Sequence, residues 1–147
     1  MKIYVDADGS PVVNIAVDVA REYALEIIIV KNYAHQIYSD YAEVISVDIS
    51  NDSADFYIVN HLNKGDVVVT QDYGLAALCL SKGAYAINQS GFMFTEENID
   101  GMLNRRYIHI VLRDQGKGHS NPKKRKPSED VKFGQEFVGL IEKIITI

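Results

Sequence analysis

Residues 2–20, KIYVDADGSPVVNIAVDVA, carry the reading on which the fold turns. Lys2 to Val5 makes a short strand and Asp6 to Ser10 a turn, behind which Val12, Ile15, Ala16 and Val19 recur at helical spacing. Ser10 stands where a cap belongs, and Pro11 occupies a first helical position, where a missing N–H costs nothing. A strand that turns directly into a helix opens a β-α-β unit, and the chain downstream repeats the alternation.

Leu25 to Val30 reads as a buried strand, Glu43 to Val47 as a third, and a helix runs from Asp52 or Ser53 to about Leu62. Asp66 to Thr70 is a central strand, Tyr73 to Ser81 a helix closed by Gly83, and Ala84 to Asn88 a fifth strand. A Thr95 cap starts a helix over Glu96 to Arg106, and Tyr107 to Leu112 fits either its continuation or another strand. Residues from about 113 to 128 read as a mobile basic loop, followed by an amphipathic helix from about Glu129 to Ile145. Parallel neighbours need long crossovers, so the alternation predicts an α/β three-layer sandwich with a mostly parallel central sheet, as one domain over residues 1–147.

Composition agrees with that class and removes others. The 147 residues are 47% hydrophobic and 24% charged, too apolar for a disordered chain. No apolar run approaches the roughly 18 residues of a membrane span, and the N-terminus reaches Asp6 and Asp8 too early for a secretory leader, so a cytoplasmic protein is expected. The single cysteine, Cys79, excludes an internal disulfide and a cysteine zinc cluster and reads as core filling. His35, His61, His109 and His119 have no metal-ligand spacing, and Gly116-Lys117-Gly118 lacks the context of a P-loop. The net charge of -5 is uneven, at -8 for residues 1–112 and +3 for residues 113–147. A basic tail on an acidic body suits a polyanionic partner without requiring one.

Ligands of open α/β sheets bind beyond the carboxyl ends of the strands, and those positions are acidic here. Asp6 and Asp8 follow the first strand, two apart and so on one side of an extended backbone. Asp48, Asp52 and Asp55 follow the third strand, and Asp72 follows the fourth. Clustered carboxylates repel one another, and the usual offset is a hard divalent cation, magnesium or manganese. Asp6, Asp8 and Asp72 are therefore the expected catalytic residues, with Asp55 added as a metal ligand. The plainer alternative is helix capping, since each aspartate stands near a helix start. Asp48 and Asp66 are assigned to turns or strand ends without chemistry.

The stretches VDADGSPV at 5–12, DSADFYIV at 52–59, GDVVVTQDYGLAA at 65–77 and NPKKRKPSED at 121–130 resemble the YaiI/YqxD family of bacterial proteins, over nearly the full chain. That family is grouped with PIN-like domains, whose better-known members are metal-dependent ribonucleases on a parallel sheet. The resemblance implies a nuclease-like site in which Asp6, Asp55 and the Asp72 of Thr70-Gln71-Asp72 match the acidic positions, with Asp8 as an extra acid. Family members usually read Ala-Cys where this chain has Gly9-Ser10, so no thiol role carries over, while the Ser10 hydroxyl can cap the helix or touch a phosphate.

On this reading the chain is a metal-dependent nuclease acting on RNA, with magnesium or manganese bound. Lys123, Lys124, Arg125 and Lys126 would neutralise the RNA backbone, although such a run equally suits a solvated loop. Two alternatives stand beside it. Asp-x-Asp-Gly after a strand also opens haloacid-dehalogenase-type phosphatases, with Asp6 as nucleophile, Asp8 as acid, and Thr70 with Lys64 or Lys82 in support. The other is a protein that binds RNA or a partner without catalysis.

Overall fold

The computed structural model describes residues 1–34, 36–50, 52–114 and 124–146, of which 106–114 are described as backbone alone. Six strands form one sheet in the order β3-β2-β1-β4-β5-β6, where β1 is Lys2–Asp6, β2 Glu26–Asn32, β3 Glu43–Val47, β4 Val67–Val69, β5 Tyr85–Ile87 and β6 Met93–Phe94. Every pairing is parallel except β5 with β6. Among the described residues there are five helices: α1 Val13–Glu22, α2 Ser53–His61, α3 Tyr73–Ser81, α4 Glu96–Asp114 and α5 Pro127–Ile145.

Strand periodicity sorts the apolar residues into two layers. Ile3, Val5, Ile27, Ile29, Val67 and Val69 pack with the buried sides of α1 and α5. Tyr4, Ile28, Val30, Val68 and Ala86 pack on the other face with α2, α3 and α4. The central strands read as nearly unbroken apolar runs because both faces are covered. Cys79 is one of the fully buried side chains of the second layer, as core filling requires. The architecture is the expected three-layer α/β sandwich. Among the described residues, no helix is long and apolar enough to cross a membrane.

The differences lie at element ends. Helix α1 begins at Val13, not Pro11, and Val12 at its N-cap makes no side-chain cap. The chain first closes a turn in which Ser10 N donates to Ala7 O at 3.0 Å, and Gly9 takes a left-handed φ of +73°. That turn uses up Ser10 and Pro11 before the helix can start. Strand β6 gave no signal, because two residues show no periodicity. Its hairpin depends on Gly91, at φ +89°, where a Cβ would come within 3.1 Å of Lys132 O. Thr95 and Asn98 cap α4 reciprocally, and the helix continues through the segment that sequence left open, to Asp114. Helix α5 starts at Pro127, ahead of Glu129, whose carboxylate accepts the Lys126 backbone N–H at 2.8 Å. Most of the basic loop lies outside the described residues.

Candidate active site at the carboxyl rim of the sheet

From β1 the chain builds outward through β2 and β3, then returns to place β4 on the other side of β1. The β1/β4 border is thus a topological switch point, where a crevice opens beyond the strand ends. Asp6 is the last residue of β1, and Asp72 stands three residues beyond β4 as the N-cap of α3, accepting Leu75 N at 3.1 Å. Thr70 ties the two segments together. Its Oγ1 donates to Asp6 Oδ2 at 2.9 Å and accepts the Asp72 N–H at 3.0 Å. Asp8, carried on the loop after β1, accepts the Asn32 N–H at 3.1 Å and is thereby fixed to the end of β2. Asp55 enters from the first turn of α2.

These four carboxylates line one cleft of about 490 Å³, together with Asn32, Ser50, Gln71 and Tyr73. No basic side chain is among the described residues lining it. Burial pushes the Asp6 carboxyl from 3.8 up to about 6, with Asp72 and Asp8 adding repulsion and the Thr70 hydroxyl pulling the other way. Desolvation is the main cause, and the neighbouring carboxylates of the same cleft add to it.

The donor set is oxygen only, which suits magnesium or manganese and not a soft metal. Among the described residues, no three histidine, cysteine or acidic side chains are already grouped around one point. Magnesium commonly keeps several waters and takes one or two carboxylates from the protein, so the chemistry of the cleft fits such an ion without a closed protein cage.

A family model described as Uncharacterized BCR, YaiI/YqxD family, matches residues 4–143. The chain belongs to the YaiI/YqxD family. A UPF0178 protein of Natranaerobius thermophilus is 48% identical over 145 residues, covering 99% of this chain and 96% of that one. UPF0178 proteins of Alkaliphilus oremlandii and Enterococcus faecalis are each 42% identical, covering 99% and 97% of this chain and 94% and 99% of their own. Among solved structures, a mutant of Rae1 (YacP) from Bacillus subtilis aligns with a TM-score of 0.43 at 15% identity, over 95% of this chain and 99% of that one. Nothing of its chemistry transfers at that distance.

Within this YaiI/YqxD chain, Asp6, Asp8, Asp55 and Asp72 come together, while the other expected site residues stand elsewhere. Ser10 lines the neighbouring cavity and accepts Val12 N at 3.4 Å. Arg125, expected to meet phosphate, is engaged inside the fold: its Nε donates to Asp130 at 2.7 Å and its guanidinium to Gln89 O at 2.9 Å. In this arrangement the guanidinium links the start of α5 to the segment just after β5. Lys124 and Lys126 are exposed but do not line the cleft, and Lys123 lies outside the described residues. The capping alternative holds for Asp72, whereas Asp52 makes no side-chain cap. Asp66 is a buried staple at the opposite rim, accepting Lys2 N at 2.9 Å and Asn63 N at 2.8 Å.

The phosphatase constellation is not assembled. Lys64 precedes β4 and Lys82 precedes β5, so in a parallel sheet both stand at the rim away from Asp6. Sequence reasoning missed three contributors at the cleft: Thr70 as the bridge, Asn32 as the anchor of Asp8, and Gln71 in the lining. Thr70-Gln71-Asp72 was visible as a motif, but which hydroxyl bonds which carboxylate depends on the β1–β4 pairing.

Proposed function

We propose that this protein is a metal-dependent phosphodiesterase that hydrolyses RNA in the Asp6–Asp72 cleft. The observation that carries the reading is a water-accessible cleft lined by four aspartates and, among its described lining residues, no lysine or arginine. Such a surface repels a phosphodiester, so an anionic substrate needs a divalent cation between itself and the carboxylates. The quoted motifs resemble the YaiI/YqxD family, whose grouping with PIN-like nucleases implies the same chemistry, with Asp6, Asp55 and Asp72 at the acidic positions that the resemblance implies.

Asp6, Asp8, Asp55 and Asp72 would supply the ligands, one or two directly to each ion and the others through its waters, and a bound ion would polarise the phosphate and lower the pKa of attacking water. Asp6 is held in place by the Thr70 hydroxyl and Asp8 by the Asn32 N–H, so neither has to be ordered when substrate arrives. Asp72 is fixed by its own cap on α3. Ionised Asp6 is the form able to bind a cation; burial raises its pKa to about 6 in the metal-free protein, and a bound cation would pull it back down.

The test is cleavage of a panel of single-stranded and structured RNAs with manganese, on the parent and on Asp6→Asn. The parent is expected to cleave and the variant to lose at least about a hundredfold, the scale of losing a catalytic group. A parent that cleaves nothing across the panel would overturn the proposal, and cleavage unchanged in Asp6→Asn would move the chemistry elsewhere.

A further inference from the structure

A second cavity opens on the other side of the loop that carries Asp6 and Asp8. Asp6 and Asp8 line the acidic cleft, whereas Ala7, Gly9 and Ser10 line the neighbour, so one loop forms the wall between them. The neighbour has a volume of about 610 Å³ and a different chemistry. Its polar groups are the hydroxyl of Ser10, the amides of Asn14 and Gln36, and Tyr38, and no charged side chain lines it among the described residues. Tyr38 is 87% exposed, and its hydroxyl donates to Gln36 Oε1 at 3.3 Å.

We infer that this cavity is a nucleobase subsite, taking an unpaired base of a strand whose phosphate lies in the acidic cleft. The inference rests on the phosphodiesterase reading and adds to it the class of substrate, a single strand with its bases turned outward. Three features favour a base over other occupants. Carboxamides offer donor and acceptor together, matching the mixed edge of a base, and they discriminate against phosphate, which wants cations. An uncovered tyrosine ring is a stacking platform that any base can use. The shared wall places the pocket next to the cleft, so one strand can reach both.

The experiment is a fluorescence titration of a short single-stranded RNA bearing one 2-aminopurine, with calcium in place of a catalytic metal. It compares the parent with Tyr38→Ala, Tyr38→Phe and Asn14→Ala, and repeats each titration with an abasic nucleotide at the probe position and a terminal dye as reporter. The parent is expected to bind and to quench the probe. Tyr38→Ala should bind roughly tenfold more weakly with the quench lost, Tyr38→Phe should retain most of both, and the abasic strand should be indifferent to either change. Because Tyr38 is exposed, its replacement leaves the core untouched. Parent-like binding and quench in Tyr38→Ala and Asn14→Ala would overturn the subsite while leaving the cleavage reading intact. A parent that binds and quenches but cleaves no RNA with manganese would overturn the cleavage reading and keep the subsite. A parent that binds no strand would overturn the subsite.

Discussion

Replacing Asp6 by asparagine is expected to make the metal-free protein more stable at neutral pH while removing its activity. The folded protein holds the Asp6 proton up to about 6, against 3.8 for the ordinary group. Between those values the native state keeps a proton that the unfolded chain has released, so stability falls as pH rises through the window and the loss is complete above it. A shift of that size corresponds to ~2–3 kcal/mol at 1.36 kcal/mol per unit, the lower figure allowing for the open side of the cleft. Asparagine keeps the shape and an oxygen to accept from Thr70, but carries no charge to bury. Urea unfolding in EDTA should therefore show Asp6→Asn more stable than the parent by ~2–3 kcal/mol near pH 8, with the gap closing near pH 4. Manganese should reverse the order, since an ion bound only by the native parent stabilises it by mass action. A variant no more stable than the parent at neutral pH in EDTA would refute the reasoning, because the buried carboxylate would then cost nothing.

Thr70→Val removes the hydroxyl that lowers the Asp6 pKa, so the acid limb of the pH–rate profile should move upward, and loss of the acceptor for Asp72 N should cost ~1–3 kcal/mol in denaturant unfolding. Asp66→Ala leaves the Lys2 and Asn63 N–H groups without their carboxylate and should cost ~1–3 kcal/mol, with RNA cleavage per folded molecule unchanged because the staple stands at the far rim. Gly91→Ala forces a Cβ into a left-handed residue facing Lys132 O, and a thermal scan should show a loss of ~1–2 kcal/mol or more.

The layers of the fold were legible because the signals behind them are long and repeated. Val67 to Val69 and Ile27 to Val30 could hardly be anything but buried strands, and the stripe through Ala16 and Val19 marked the buried side of α1. Short or local elements were not. Strand β6 is too brief for a period, and the start of α1 is decided by the Ser10–Ala7 turn bond, which competes with the cap that the sequence suggests. At the cleft, strand-end placement foretold that Asp6, Asp8 and Asp72 would share a rim. What it could not supply were partners set by tertiary pairing. Thr70 reaches Asp6 across the β1–β4 border, and Arg125 closes on Asp130 and Gln89 instead of pointing outward.

The central claim is that the aspartate cleft binds a divalent ion, and manganese anomalous diffraction from crystals of the parent tests it most directly. The expected result is a peak between Asp6 and Asp72 that disappears in Asp6→Asn. Manganese found only at other positions, or at none, would contradict the account.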